Sequence, residues 1–491
     1  MIIKIGILKK ELAFENLLNQ IGVDWDYFSF DNPHDYSLLI INEILNDDEL
    51  IKLNFYLKNC GAVFINSNQN IFNKTYTKSF VSSIYPAEIN FNELIDINKN
   101  INLVNNKLFD LFDNVCIFPE SISDLLNNIN YKRLNFYSSK DRLPSENVNS
   151  VSKGSLSRLI ESIFKNLHFN RRIVFASKSN TDLSKTFTFR IDTDKSNSSN
   201  LVNLYNLLDK CNISANWNID VESQKENLNI YKYFKNQNFG FHSNSHKIFK
   251  DKNKFENDFS TAMEFYKNNN FDVKSGAGIY GIWNENLNFQ YEKEKFDYSS
   301  EFSLSYDSLP FFPTIENKFS KTLQIPIHPI CIGSLKIAGY KENEIINYFT
   351  DYINKSVYLN QPFHIYHHPN NENLNVLEYI FIYLKKLDIK NISYNDFFTK
   401  WIKRNNSKFE VKYFNEDESI EMFIDDNSKH EIDVFINENE YCSIDKSGKY
   451  KINELTKFTI NKYIPPKDLN RIRNMDPRHF FQSFLFNLHS K

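Results

Sequence analysis

The chain has 491 residues, a formal charge of −3 at pH 7 and an aromatic content of 15%. This charge gives no basic footprint for nucleic acid, and at about 100–200 residues per domain the length predicts about two to four domains. No apolar run reaches the ~18 residues that span a bilayer, and the first residues lack the pattern of a secretory signal. The five cysteines are scattered without a C-x-x-C pair, which argues against a disulfide framework. We therefore expect a cytoplasmic protein without a nucleic-acid partner or a membrane span.

Strand-like and helix-like patterns alternate from residue 1 to about residue 70, within a first domain predicted at 1–130. Residues 2–8, 37–42 and 62–66 are apolar runs of strand length, and residues 11–21 and 47–59 have helical spacing. This order predicts βαβ units around a parallel sheet.

The resulting small α/β domain resembles flavodoxin-like or glutamine-amidotransferase-like domains. The nucleophile of an amidotransferase lies on a tight strand-to-helix turn, whereas Cys60 precedes a strand and follows a helix that we expect to stop at Gly61. We therefore interpret Cys60 as a buried structural residue, in a domain without a catalytic cysteine.

Three further segments are predicted. Residues 131–184 form a connecting helical segment with a helix at 154–167. Residues 185–404 repeat strand-like runs (186–191, 213–219, 325–327 and 363–366) between helix-like stretches, which predicts a barrel-like α/β domain. Residues 405–491 open with alternating polar and apolar runs (409–413, 432–436 and 450–452), typical of a small β-rich domain, and end in a helical tail near 477–488.

One short run, Arg190-Ile-Asp-Thr-Asp194, carries an unusual set of charges for a strand. In an extended segment, residues two apart face the same way, so Arg190, Asp192 and Asp194 share one face. Two carboxylates this close repel each other unless a cation or a proton lies between them. The run therefore indicates a functional site.

A histidine pair follows in His242-Ser-Asn-Ser-His246. Zinc and similar ions bind Asp oxygen and His nitrogen, and a catalytic site leaves one position open for water. Asp194, His242 and His246 therefore predict a site for a divalent metal, with Zn²⁺ as first choice and Co²⁺, Mn²⁺ or Ni²⁺ as alternatives. Asp192 then remains as general base, and His368 in His367-His368-Pro369 is the candidate general acid that protonates a leaving amine.

These motifs resemble those of the polysaccharide deacetylases of the NodB-homology class, carbohydrate esterase family 4. Arg190-Ile-Asp-Thr-Asp194 stands for the Asp-Asp motif of that family, and His242-Ser-Asn-Ser-His246 for its His-Ser/Thr-x-x-His motif. Residues 275–284 occupy the place of its Arg-x-Pro-Tyr motif, and His367-His368-Pro369 that of its late catalytic histidine. Residues 298–303 and 325–330 look like segments of a subgroup encoded with surface-polysaccharide genes.

The resemblance implies a distorted (β/α) barrel and a metal-dependent N-deacetylase of an amino sugar or glycan intermediate in surface-polysaccharide metabolism. It also implies roles for further residues. The backbone N–H of Tyr280 would help to hold the oxyanion, and Trp283 would form a wall of the sugar site. Tyr298 and His367 would contact the substrate.

The chain departs from the family at the third motif, where Gly276-Ala-Gly278 replaces the expected Arg and Pro. In the family that Arg orients the catalytic base. Arg190 lies two residues before Asp192 on the same predicted face, and we expect it to substitute.

Several alternatives stay open. The inserted Thr193 leaves undecided which aspartate is base and which is ligand, and we favour Asp192 as base by order. Either His367 or His368 could be the acid, and we favour His368; only one can face inward, since adjacent residues of an extended segment alternate. The same barrel could also serve a non-catalytic carbohydrate-binding or assembly protein, or a hydrolase of another C–N bond. A homo-oligomer is left open as well.

Overall fold

The structure is a computed structural model that describes residues 1–86, 89, 91–136, 145–370, 373–425 and 430–460. The predicted helical tail at 477–488 lies outside these residues. The chain divides into two compact units: the first comprises Met1–Asn128, Val151–Ser179 and the described residues from Trp401 onward, and the second comprises Ile129–Ser150 and Asn180–Lys400. The division into four segments stays a prediction. Among the described helices, none combines the length and the apolar composition that crossing a membrane requires.

The strands of the described residues are numbered in chain order: β1 (Ile5–Ile7), β2 (Trp25–Tyr27), β3 (Leu38–Ile41), β4 (Val63–Ile65), β5 (Tyr76–Ile84), β6 (Ile95–Val104), β7 (Asp110–Phe112), β8 (Val115–Ile117), β9 (Tyr131–Asn135), β10 (Ser145–Asn149), β11 (Phe175–Lys178), β12 (Thr186–Asp192), β13 (Ala215–Asp220), β14 (Asn238–Ser243), β15 (Ser275–Gly276), β16 (Tyr298–Ser299), β17 (Thr314–Ile315), β18 (Lys318–Phe319), β19 (Leu323–Gln324), β20 (Phe363–His367), β21 (Lys390–Asn391), β22 (Phe409–Phe414), β23 (Ser419–Ile424), β24 (Ile432–Phe435), β25 (Glu440–Ile444), β26 (Gly448–Lys451) and β27 (Phe458–Thr459).

The α-helices are numbered in the same way: α1 (Leu12–Ile21), α2 (Asp47–Lys58), α3 (Ile122–Leu126), α4 (Lys153–Phe169), α5 (Thr181–Ser184), α6 (Ser198–Cys211), α7 (Val221–Gln224), α8 (Leu228–Tyr231), α9 (Lys252–Asn268), α10 (Glu285–Lys293), α11 (Ile332–Ile337), α12 (Glu342–Tyr358), α13 (Leu374–Lys386) and α14 (Tyr394–Asn406).

The first unit is built on a six-stranded sheet in the order β2-β1-β3-β4-β8-β7. Its neighbours are parallel except for the antiparallel pair β7–β8. The parallel strands alone follow the 2-1-3-4-5 order of flavodoxin-like sheets, and every residue of β3 is buried, as expected for a strand covered on both faces. The predicted parallel βαβ pattern is confirmed, whereas the assignment to a flavodoxin-like or amidotransferase-like domain stays a prediction.

The segments around that sheet are richer in strands than the sequence predicts. A long hairpin, β5–β6, follows β4. Two antiparallel sheets complete the unit, in the orders β11-β24-β25-β27 and β22-β23-β26. The strands predicted from alternation at 409–413 and 432–436 correspond to β22 and β24.

Cys60 is not buried, so its interpretation as a buried structural residue is wrong. It is exposed and has a φ of 59°. It thereby adopts the left-handed conformation that ends many helices, directly after α2 and one residue before the predicted stop at Gly61. The backbone N–H of Gly61 then donates to the carbonyl of Tyr56 at 2.9 Å.

The second unit is built on an eight-stranded parallel sheet in the order β19-β16-β15-β14-β13-β12-β20, with β21 paired to β12. This sheet forms a half barrel and confirms the predicted α/β class. After β19, the backbone N–H of His328 donates to the carbonyl of His364 in β20 at 3.0 Å. The strand predicted at 325–327 is wrong: β19 ends at Gln324, and Pro326 then removes a backbone donor.

A hairpin formed by β9 and β10 also belongs to the second unit. The segment from 131 was predicted to be helical, and the structure corrects this, because the helix α4 begins only at Lys153. Leu134 and Val148, one from each strand, pack in a buried cluster with Tyr366 and Cys331. The hairpin therefore packs against the end of β20, where the predicted catalytic histidine lies.

Candidate metal and catalytic site

The parallel sheet of the second unit brings the predicted site residues together at one edge. Because its strands run in the same direction, their carboxyl ends lie side by side. β12 ends at Asp192 and β20 at His367, while His242 is the last residue but one of β14. The site is therefore assembled from segments that are far apart in sequence.

Asp194 lies at the centre of the three predicted metal ligands. Its Oδ1 is 2.8 Å from Nε2 of His242, and its Oδ2 is 2.9 Å from Nε2 of His246. One ligand atom from each of the three residues lies within 4.8 Å of the others. His246 has a φ of 50°, an uncommon backbone conformation for a residue other than glycine. The structure thus brings together the set that the sequence proposed.

The oxygen and nitrogen atoms of this cluster are better placed to bind a metal ion than to form hydrogen bonds with one another. Oδ1 of Asp194 and Nε2 of His246 are buried, yet neither takes part in a hydrogen bond of acceptable geometry with a described residue. Nδ1 of His242 lies 2.9 Å from the carbonyl of Ala277 and must donate to it, so in the neutral ring the lone pair is on Nε2, which faces Asp194. A carbonyl that fixes the tautomer in this way is a common partner of a metal-binding histidine.

The electrostatics of the cluster also suit a cation. Burial alone would raise the pKa of the Asp194 carboxyl and lower the pKa of the His242 imidazole. Their mutual attraction outweighs burial at both groups, so the pKa of Asp194 lies well below its ordinary value and the pKa of His242 is raised to about 9. Asp194 is therefore a carboxylate over the whole neutral range, which is the form that binds metal, and a bound ion would take the place of the proton on His242.

Asp192 is buried beside the cluster and has its own partners. Nη2 of Arg190 donates to its Oδ2 at 2.7 Å, and Nδ2 of Asn218 donates to its Oδ1 at 3.0 Å. Burial alone would raise the pKa of Asp192, but the charge of Arg190, followed by those of His242 and His368, holds it below its ordinary value. Both oxygens of Asp192 are thus held by groups other than the three candidate ligands, and the carboxylate is anionic.

Arg190 is fixed on its other side as well. It is 2% exposed, its Nη1 donates to the backbone carbonyl and the hydroxyl of Ser300, and its guanidinium lies 4.9 Å from the ring centre of Tyr366. These contacts hold the guanidinium against Asp192, in the arrangement that the sequence predicted for a substitute of the missing arginine.

Asn218 belongs to a chain of amides along β13. Asn216 Nδ2 donates to Asn218 Oδ1 at 2.7 Å, and Ser275 Oγ lies 3.4 Å from Asn216 Oδ1. A Cβ at Gly240 of the neighbouring strand would lie 2.1 Å from Asn218 Oδ1. Gly240 therefore leaves the space that these amides occupy beside the Asp192 carboxylate.

The two adjacent histidines at the end of β20 occupy different environments. His367 is 0% exposed within the sheet. The side chain of His368 is 24% exposed, and its Nε2 lies 3.6 Å from Oδ2 of Asp194. The structure thus places His368, the histidine that we favoured as acid, beside the cluster.

The side chains of Tyr280, Trp283 and Tyr298, for which roles near the substrate were predicted, differ in their exposure. Tyr280 is 47% exposed, its ring lies 5.1 Å from that of His246, and its φ is 55°. Trp283 and Tyr298 are 5% and 2% exposed, and the hydroxyl of Tyr298 donates to Asn395 at 2.8 Å. Of these three side chains, Tyr280 alone presents a large exposed surface beside the cluster, and the roles of the other two stay predictions.

Sequence reasoning missed three polar side chains near the site, Asn218, Asp220 and Cys331. Asn218 and Asp220 alternate with apolar residues along β13, and this period of two was a usable signal. Asp220 is 2% exposed, and burial raises its pKa. Cys331 gave no comparable signal, because His368, which it contacts, comes from a distant segment.

Comparison with known proteins finds solved structures of low similarity to this chain. No family model matches the chain, and no curated protein matches it. Among solved structures, a protein assigned as a polysaccharide deacetylase from Mycobacterium smegmatis matches 42% of this chain and 86% of its own, at 11% identity and a TM-score of 0.36. Another, from Pseudomonas aeruginosa PAO1, matches 45% and 91%, at 12% identity and a TM-score of 0.38.

A third solved structure is that of a pseudoenzyme of carbohydrate esterase family 4 from Bacillus anthracis. It matches 44% of this chain and 65% of its own, at 12% identity and a TM-score of 0.32. Likenesses of this size carry no conclusion about activity, and the case for a function depends on the geometry of the site itself.

Proposed function

We propose that the protein is a metal-dependent hydrolase that removes the N-acetyl group of an amino sugar or glycan intermediate. The observation that carries the proposal is the separation of roles between two neighbouring carboxylates. Asp194 faces His242 and His246, whereas Asp192 faces Arg190 and Asn218. One carboxylate is thus available as a ligand and the other as a base.

Asp194, His242 and His246 would hold the metal. When bound, a divalent ion lowers the pKa of a water molecule and polarises a carbonyl oxygen. The carbonyl of Ala277 keeps the His242 ring oriented for this. Zn²⁺ suits a set of two imidazoles and one carboxylate, with Co²⁺, Mn²⁺ and Ni²⁺ as alternatives.

Asp192 would accept a proton from the attacking water. Arg190 and Asn218 hold its two oxygens, and the charge of Arg190 keeps it anionic, which is the state a base requires. His368 would deliver a proton from Nε2 to the departing nitrogen, since this atom lies on the side of the ring that faces Asp194. The backbone N–H of Tyr280 would stabilise the oxyanion.

The substrate class rests on the resemblance of the motifs to the NodB-homology deacetylases and on one structural feature. The exposed ring of Tyr280 beside His246 is suited to pack against the apolar face of a sugar. Surface-polysaccharide metabolism as the setting rests on the motifs alone.

Metal binding is the first test. Chelator-treated protein titrated with Zn²⁺ in a calorimeter should bind about one equivalent, and the Asp194→Ala and His242→Ala variants should lose this binding. His34→Ala is the matched control, because it removes an exposed histidine of the first unit and should titrate like the wild type. A wild type that takes up no divalent metal would overturn the proposal.

Turnover is the second test. Release of acetate from N-acetylglucosamine and its oligomers should need added metal, and Asp192→Asn and His368→Gln should lower kcat by ~10²–10⁴-fold, the range that general acid–base groups contribute. Wild-type protein that binds metal and sugar but releases no acetate would instead favour the non-catalytic carbohydrate-binding protein. Release of another amine would favour a hydrolase of a different C–N bond.

A further inference from the structure

Cys331 lies behind the candidate general acid. Its Sγ is 3.9 Å from Nδ1 of His368, a sulfur–nitrogen distance at the long end for a hydrogen bond. The residue is 3% exposed and packs in the buried cluster that contains Tyr366 and Ile327. None of the roles proposed above involves this thiol.

The two ring nitrogens of His368 face different surroundings. Nε2 lies 3.6 Å from Oδ2 of Asp194 on the site side, while Nδ1 points to the sulfur on the buried side. Tyr366 borders the ring edge-on, with ring centres 5.5 Å apart. The imidazole is therefore held with one nitrogen toward the reaction and the other toward Cys331.

The sulfur is itself fixed in place. The backbone N–H of Ser334 donates to Sγ at 3.4 Å, and the Ser334 hydroxyl lies at the same distance. This bond caps the N-terminus of α11 and fixes the sulfur beside Nδ1 of His368.

We infer that Cys331 is a positioning residue that keeps the transferable proton of His368 on Nε2. The inference is that the sulfur donates to Nδ1 or is charged, and does not accept from the Nδ1–H of a neutral ring; two states of the pair meet this condition. If the thiol donates its S–H to Nδ1, the neutral ring carries its one proton on Nε2. If a thiolate accepts from Nδ1–H, the ring is an imidazolium and Nε2 again carries a proton. In either state the nitrogen that faces the site is the one able to donate, as a general acid requires.

The inference rests on the proposed function, and the test separates the two. Cys331→Ala removes the sulfur, whereas Cys331→Ser keeps a donor at the same position. With an N-acetylated sugar, Cys331→Ala should lower kcat on the order of 10- to 100-fold, less than the loss of the acid itself, with KM within about 2-fold. Cys331→Ser should recover at least about half of the lost factor on a logarithmic scale. Cys211→Ala, a half-buried cysteine of the same unit, is the matched control.

A spectroscopic readout does not depend on turnover. In protein labelled with ring-¹⁵N histidine, the His368 signals, assigned with His368→Gln, should show a protonated Nε2 in the wild type and in Cys331→Ser. Cys331→Ala should show a mixture of tautomers. An active enzyme whose Cys331→Ala variant keeps both the wild-type kcat and the Nε2–H signal would overturn the inference but leave the proposed function standing. A wild type without hydrolase activity would refute the function, and the tautomer measurement would still decide the role of the sulfur.

Discussion

Arg190 and Asp192 face each other from the same strand, with Nη2 and Oδ2 2.7 Å apart and both side chains almost fully buried. The pair arises because alternate residues of β12 share a face. A buried carboxylate without a partner would take up a proton or destabilise the fold. Arg190 therefore does two things at once: it keeps Asp192 charged, and it fixes the direction of that charge.

Replacing Arg190 should separate these two effects. Arg190→Met leaves Asp192 buried without its cationic partner, which should lower the free energy of unfolding by about 3–5 kcal/mol. It should also lower kcat by about 10- to 100-fold, because the base loses its orientation, while metal affinity changes by no more than about 3-fold. Urea unfolding, acetate release and metal titration measure the three quantities.

A double variant serves as the control for folding. Arg190→Met with Asp192→Asn removes both buried charges and should regain most of the lost stability, but it should stay inactive, since the base is absent. If Arg190→Met alone kept the wild-type kcat, Arg190 would not be the substitute for the missing arginine of the third motif.

The part of the site that could be predicted from sequence is the part whose residues lie in short motifs. Asp194, His242 and His246 stand in two short motifs, and the chemistry of their side chains was enough to group them. Asn218 could not be assigned to Asp192 from sequence, because their contact depends on the parallel register between β12 and β13. Cys331 is still more remote, since it reaches His368 from a loop after β19.

In the fold, too, the elements that could be predicted from sequence are those with a regular pattern. Apolar runs predicted β3 and β4, and helical spacing predicted α4, because these elements bury a regular face. The hairpin β5–β6 was missed because its exposed strand lacks a clean alternation. At the end of α2 the stop was expected at Gly61, yet Cys60 adopts the positive φ, and Gly61 is needed for space, since a Cβ there would lie 2.2 Å from the Tyr56 ring.

Gly240 offers a test of the amide chain that reaches the base. A Cβ there would lie 2.1 Å from Asn218 Oδ1 and 2.7 Å from Asn216 Nδ2, so Gly240→Ala should displace Asn218 from Asp192. We expect kcat to fall by about 10-fold, as for other partners of site residues, with metal affinity within about 3-fold. Gly448→Ala is the control, since the nearest atom to its Cβ, on the Tyr450 ring, is 3.3 Å away. Wild-type kcat in Gly240→Ala would show that Asn218 does not hold the base.

Arg404 should be a main contributor to the stability of the first unit. It is fully buried, and it donates to the carbonyls of Asn19 at 3.0 Å, of Gln20 at 3.2 Å and of Lys178 at 3.2 Å. Two of these carbonyls belong to the last turn of α1, where no intrahelical donor is left. Arg404→Met should therefore lower the free energy of unfolding by about 2–4 kcal/mol.

The measurement is urea unfolding followed by circular dichroism, with Arg172→Met as the control. Arg172 is exposed, and its replacement should change the free energy of unfolding by no more than about 0.5 kcal/mol. Equal stabilities of the two variants would mean that water or other donors satisfy the end of α1 once Arg404 is gone.

The buried carboxyl of Glu301 should make the stability of the protein depend on pH, and this effect does not involve the metal ligands. It is 0% exposed; its Oε1 accepts from the backbone N–H of Gly278 at 2.9 Å and from the hydroxyl of Tyr291 at 3.1 Å. Its Oε2 is buried without a hydrogen bond to a described residue. Burial raises the pKa of Glu301 to about 7, from an ordinary value of 4.5.

The folded state therefore binds this proton more tightly than the unfolded chain does. The resulting stabilisation is fully present below about pH 4.5 and is lost as the pH rises through about 7. Glu301→Gln removes the titration but keeps an acceptor for Gly278 and Tyr291. Between pH 5 and pH 8, the free energy of unfolding of the wild type should fall relative to that of Glu301→Gln by up to about 3 kcal/mol. Glu222→Gln, at an exposed position, should run parallel to the wild type. If the Glu301→Gln curve also stayed parallel, the Glu301 carboxyl would titrate alike in the folded and unfolded chains, and burial would not be setting its pKa.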